Sequence, residues 1–206
     1  MTNTIITISR EYGSGGREIG KKLAEQLGIP FYDNELISIA AQKSGFAESL
    51  FEQEDQKPVN GFMYAQSMYG AGGAAFDLPL NDKIFLIQSD IIREVAAKGG
   101  CVIVGRCADY VLRDNPNCFN VFINADLATR MDWAMRENDV PADKAKETVQ
   151  KIDKRRAAYY NYYTSKKFGA SSNYHLCVNS AILGRDGTVE VIKKFVEMRD
   201  ARTAAK

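Results

Sequence analysis

The stretch Ile5-Ile6-Thr7-Ile8-Ser9-Arg10-Glu11-Tyr12-Gly13-Ser14-Gly15-Gly16-Arg17-Glu18-Ile19-Gly20-Lys21-Lys22-Leu23-Ala24-Glu25 decides the fold. Ile5 to Ile8 is apolar and β-branched, the composition of a strand buried on both faces, and it stops at Ser9 to Tyr12. Beyond the glycines, Ile19, Leu23, Ala24 and Leu27 return at helical spacing, with Glu18, Lys21, Lys22, Glu25 and Gln26 between them. The order is strand, glycine loop, helix. In such a loop Gly13, Ser14, Gly15 and Gly16 bring several backbone N–H groups onto one anion, because no Cβ blocks the approach. The following helix aims its positive dipole end at the same point. A phosphate site is expected, and a plain tight turn is the alternative that the glycines alone leave open.

Two registers compete for the loop. A P-loop of the form G-x-x-x-x-G-K-[ST] fits Gly15, Gly20 and Lys21, but Lys22 then stands where Ser or Thr holds magnesium, and Lys21 falls inside the helix. The better register sets Gly13-Ser14-Gly15 on the Gly-x-Gly of nucleoside monophosphate kinase loops, which read Gly-x-Gly-Lys-Gly-Thr. Gly16 then occupies the lysine position, Arg17 that of the next glycine and Glu18 that of the threonine. Arg17, always ionised and bidentate, is the candidate to supply the missing charge, and Glu18 to approach Mg2+ directly or through water.

With 206 residues, 45% of them hydrophobic, the chain is long enough to bury a full core and is read as one domain, 1–206. Its net charge is +1 with both signs interspersed, so no nucleic-acid footprint follows. The start carries no signal-peptide pattern, no apolar run suffices to span a membrane, and the four cysteines show no zinc-like pairing. A cytoplasmic protein is expected.

Along the chain, Phe31-Tyr32 is a short strand closing on Asp33-Asn34-Glu35, with a helix after it. Asp33 is a candidate for the acceptor side or an N-cap. Residues 45–82 lose the pattern; their aromatic and methionine content suits a mobile acceptor-side insertion better than a solvated linker. A helix from Ile84 to Val95 leads to the apolar strand Cys101-Val102-Ile103-Val104, which delivers Gly105-Arg106 to its carboxyl end, where open α/β sheets bind ligands. Arg106 there suits a phosphate or carboxylate, with a surface salt bridge as the alternative. Asn120 to Asn124 is another strand, and helices follow from Leu127 and from Pro141. Residues 150–172 hold Arg155, Arg156 and four tyrosines, read as a lid-like basic segment over phosphates, as tyrosines packing on the body, or as an RNA-binding surface. Leu176 to Ser180 is the last strand and an amphipathic helix closes the chain. His175, the single histidine, reads as structural.

These residues together resemble the cytidylate kinase-like family. The resemblance rests on Ile8 to Ile19, on Val102 to Tyr110, and on Tyr159-Tyr160-Asn161-Tyr162-Tyr163 with Asn179-Ser180. It implies a three-layer P-loop kinase-like α/β fold, a parallel sheet with helices on both faces, carrying a mobile insertion and a lid. It implies γ-phosphoryl transfer from ATP, with Mg2+, to CMP, dCMP or a similar small acceptor. From charge and composition no nucleic-acid or membrane partner is expected, and the apolar residues of the insertion could equally serve a homodimer contact. By position, Gly13, Ser14, Gly15, Gly16, Arg17 and Glu18 would hold the donor phosphates; Asp33, Arg106 and Asp109 would hold the acceptor. Arg17, Arg106, Arg155 and Arg156 would stabilise the transferring group. Cytidylate kinases carry Gly-Arg-Asp where Gly105-Arg106-Cys107 stands, and an arginine soon after the second strand that is missing here. A nucleotide-binding regulatory module without transfer, and a kinase with a non-nucleotide acceptor, are the alternatives.

Overall fold

Period-two alternation sets the layers. The computed structural model describes residues 3–45 and 78–204. Strand β1 (Ile5–Arg10) pairs in parallel with β3 (Cys101–Val104) on one side and with β4 (Cys118–Asn124) on the other. Strands β2 (Phe31–Tyr32) and β5 (Leu176–Asn179) complete a parallel sheet of order β2-β3-β1-β4-β5.

Ile5, Cys101, Ile103 and Cys118 turn to one face, where helices α2 (Glu35–Ser44), α3 (Leu80–Ala97) and α4 (Ala108–Val111) cover them. Ile6, Ile8, Val102, Val104, Phe119, Val121 and Ile123 turn to the other. There they meet α1 (Gly16–Leu27) and α7 (Ser180–Ala204). A strand covered on both sides has no polar face, which is why β1 and β3 read as unbroken apolar runs. The expected α/β sheet with helices on both faces is present.

After β4 come α5 (Leu127–Glu137), N-capped by Asp126, and α6 (Ala142–Thr164). The chain leaves β1 toward β2 on one side and leaves β4 toward β5 on the other. Connections thus part at the carboxyl ends of the central strands, where open sheets form a crevice. Helix α7 is broken once, at Gly184 (φ 66°, ψ −177°). Of the expected 45–82 insertion, all but Gly45 and 78–82 lies outside the described residues.

Candidate active site

The loop after β1 closes on itself before it meets a ligand. The Ser14 hydroxyl donates to the Glu11 carbonyl at 2.9 Å and the Ser14 amide to the same oxygen at 3.4 Å. Gly13 (φ 80°) lies so close to α5 that a Cβ would stand 2.6 Å from the Arg130 carbonyl oxygen. Gly15 (φ 73°) is the N-cap of α1 and has no side chain to satisfy the first-turn amides, which leaves that work to an anion. Ser180, first residue of α7, braces the loop from below, its hydroxyl 2.7 Å from the Ser14 carbonyl and 3.1 Å from that of Asn124.

Carboxylates and arginines fix the loop laterally. Asp153 on α6 accepts from the Tyr12 amide at 2.7 Å and from Arg130, whose Nε lies 3.5 Å from Glu11. Glu11 accepts in turn from the Ala125 amide at 3.3 Å. Burial pushes the Glu11 carboxyl up, partly opposed by Arg130. Arg156, from the same helix as Asp153, donates to the Arg10 carbonyl at 3.2 Å and lies over the Tyr12 ring. Burial lowers its pKa and Asp153 raises it, but a guanidinium keeps its proton. One helical residue earlier, Arg155 is exposed, so α6 sends these two arginines in different directions.

Arg17 and Asp33, expected on opposite substrates, form an ion pair at 2.6 Å, the carboxylate buried and the arginine half-exposed. Glu18 shares with Arg10, Gly16, Arg17 and Arg156 the lining of a 230 Å³ cavity over the loop. On the loop's other side a 260 Å³ cavity runs between α5 and α7, lined by Gly13, Gly15, Trp133, Arg136 and Arg185 among others. The Arg185 Nε would be 3.3 Å from a Cβ on Gly15.

The turn after β3 holds three successive residues at positive φ: Gly105 (79°), Arg106 (55°) and Cys107 (53°). Arg106 is buried, as is Asp109 behind it, whose carboxylate accepts from the Tyr160 hydroxyl at 2.7 Å. Burial raises the Asp109 pKa; the Tyr160 bond works against that rise. Cys107 packs against Tyr159 and Tyr160, while Tyr163 stacks on Phe85 and donates to Asp82 at 3.0 Å. The tyrosine segment is therefore packed on the body, and it carries Arg156 to the loop from there.

A match to the cytidylate kinase-like family model covers residues 5–182. The chain belongs to the cytidylate kinase-like family. It is 27% identical to a cytidylate kinase of Aeropyrum pernix over an alignment of 197 residues, with coverage of 93% of this chain and 98% of the relative. Among solved structures it is similar to an uncharacterized protein from Eubacterium ventriosum, with a TM-score of 0.72, 31% identity and coverage of 94% and 98%. A shikimate kinase from Bacteroides thetaiotaomicron matches at a TM-score of 0.55, 15% identity and coverage of 94% and 98%, a likeness of fold. Family and fold make the chain a kinase of P-loop type, and no described helix is long and apolar enough to cross a membrane.

The sequence reading gave no role to Arg10, Glu11, Arg130, Asp153 or Ser180, although Arg10, Glu11 and Ser180 stand in the stretches that carry the resemblance. Arg10 also has a physical signal: it follows Ile6 and Ile8 at period two, so it faces α1 rather than solvent.

Proposed function

We propose that this protein transfers the γ-phosphoryl of ATP to a nucleoside monophosphate of the CMP or dCMP type. One observation carries the reading: Gly13 and Gly15 form a shared wall between the 260 Å³ and 230 Å³ cavities. A donor nucleoside placed between α5 and α7 lays its phosphates across the loop, toward Arg106 in the turn after β3.

Loop amides of Gly13 to Gly16 bind the donor phosphates, with Arg17 at the rim beside Asp33. Arg106 takes the acceptor, with Asp109 behind it. Arg156, and Arg155 on closure, add charge as the P–O bond to ADP breaks and the bond to the acceptor oxygen forms. Such a transfer asks little covalent work of the protein; positioning and charge carry it. Among the described residues no cluster of three or more acidic, histidine or cysteine side chains could hold a metal alone. That suits magnesium, which arrives on the triphosphate and needs one or two carboxylates, and Glu18 lines the cavity. Glu18 would hold magnesium there, and the ion would supply charge neutralisation to the donor phosphates.

The test is calorimetric titration with a non-hydrolysable ATP analogue and Mg2+, with and without CMP, followed by an ADP-release assay over nucleoside monophosphates and small hydroxylated acceptors. Micromolar analogue binding tightened by CMP, with CMP-dependent ADP release, is expected. Gly16 at the lysine position favours a second reading, a nucleotide-binding regulatory module, whose signature is binding without turnover on any acceptor.

A further inference from the structure

We propose that Arg10 supplies the cation that the loop lacks at Gly16, so that the donor-phosphate charge comes from the last residue of the strand and not from the loop. The inference rests on the donor-site reading above and names a residue that reading does not use.

The geometry begins with two periods. On β1, Ile6, Ile8 and Arg10 share the face that α1 covers, because side chains alternate along a strand. On α1, Gly16 and Gly20 lie four apart and face the strand together. They meet it rung by rung. A Cβ on Gly20 would stand 3.0 Å from Ile8 Cδ1, and one on Gly16 would stand 2.6 Å from Arg10 Cβ and 2.9 Å from Cγ. The near end of a side chain cannot move aside, so a lysine at 16 and the stem of Arg10 exclude each other.

The head of Arg10 is framed in the same way. A Cβ on Gly105 would be 2.4 Å from Arg10 Nη1 and 3.3 Å from Cζ. The side chain therefore crosses from the phosphate loop to the turn that holds Arg106, with one glycine making room for its stem and another for its guanidinium. Arg10 lines both the 230 Å³ cavity over the loop and the small cavity formed with Gly105, Arg106 and Arg156. A planar, always charged fork at that point reaches oxygens of both the donor's terminal phosphate and the acceptor. Arg17, the cation that the loop itself offers, is paired with Asp33.

Titration of wild type, Arg10→Met and Arg10→Lys with the ATP analogue and Mg2+ tests this, with thermal melting of each protein without nucleotide. Methionine keeps an aliphatic stem over Gly16 and removes the charge. Analogue affinity should fall at least about tenfold in Arg10→Met and stay within about threefold of wild type in Arg10→Lys, at unchanged melting temperature. In the double variant Arg10→Gly/Gly16→Lys, where a lysine has room, affinity should rise above that of Arg10→Met. Equal affinity in wild type and Arg10→Met overturns the inference and leaves the donor site standing. Equal losses in the methionine and lysine variants also overturn it, since shape rather than charge then accounts for the effect. Wild type that binds no analogue overturns the donor-site reading, and the inference with it. Arg10→Gln, judged by the same criterion, replaces Arg10→Met should that variant not fold.

Discussion

The turns after β1 and β3 sit side by side at the carboxyl end of the sheet and reach positive φ by opposite means. After β1, the residues at positive φ are glycines, Gly13 and Gly15, where the conformation costs little. After β3, Gly105 is followed by Arg106 and Cys107, both side-chain-bearing and both left-handed. Each such residue costs on the order of 1–3 kcal/mol and persists only where its surroundings over-determine it. Here Cys107 is pinned by Tyr159 and Tyr160, and Asp109 is held by Tyr160. A turn that offers only backbone amides to an anion needs no side chains. A turn that must present one particular guanidinium keeps it at the cost of strain.

Replacing Arg106 in two ways gives the sharpest test of that contrast. Both Arg106→Ala and Arg106→Gly should lower phosphoryl transfer by about 10³-fold, the loss seen when a charge-stabilising arginine leaves such a site. Their stabilities should separate, glycine exceeding alanine by about 1 kcal/mol in urea unfolding because it removes the left-handed strain. Equal stability of the two variants would show that the turn is not strained. Loss of turnover in proportion to stability would remove Arg106 from the acceptor site.

The β1 turn should respond in the reverse sense. Gly13→Ala meets the Arg130 carbonyl oxygen at 2.6 Å and an unfavourable φ of 80°, and should cost about 3 kcal/mol or more. Gly28→Ala, at φ 63° with nothing within 4 Å, isolates the conformational part at about 1 kcal/mol. Denaturant midpoints for the pair measure the difference, which is the closeness of α5 to the loop. If Gly13→Ala costs no more than Gly28→Ala, the loop is not clamped by Arg130.

Tyr160→Phe probes the charge beneath the β3 turn. Burial raises the Asp109 pKa above its unfolded value, so in the relevant range the folded state binds the extra proton and the contribution to stability falls as pH rises past about 4. The Tyr160 hydroxyl offsets this by donating to the ionised form. Without it the carboxyl rises further. The stability gap between wild type and Tyr160→Phe should therefore be small near pH 4 and grow to about 2 kcal/mol at neutral pH. A gap independent of pH would mean that Tyr160 acts by packing alone.

Much of this arrangement was readable because strong local patterns were not in conflict. β1, the glycine loop and α1 follow from an apolar run, four small residues and a helical period; β3 with Gly105-Arg106 follows in the same way. What escaped depends on contacts distant in sequence. Asp153 lies within a basic run, and nothing local shows that it accepts from Tyr12, 141 residues away. Nothing local pairs Arg17 with Asp33, because their ion pair exists only once β2 lies beside β3. The tyrosines of α6 left packing and a lid both open, since a helix lying on a body and one crossing a site share a period. Arg10 is hidden because a charge after an apolar strand reads as its end, although strand alternation places it under α1.

Ser180 gives the smallest effect and the most direct comparison, since it touches one turn and not the other. It stands after β5, and its single proton goes mainly to the Ser14 carbonyl, 2.7 Å away, with the Asn124 carbonyl at 3.1 Å. The loop's backbone is thereby tied to the ends of two strands at once. Alanine at this site leaves a buried carbonyl unsatisfied, and the loss should be about 1 kcal/mol. That loss should fall on the loop: amide hydrogen exchange at Ser14 and Gly15 should accelerate, and the KM for ATP should rise, while the acceptor KM and the exchange of Gly105 to Cys107 stay as in wild type. Equal disturbance of both turns would show that they form one mechanical unit, and that the contrast between the glycine turn and the strained one is a matter of sequence rather than of function.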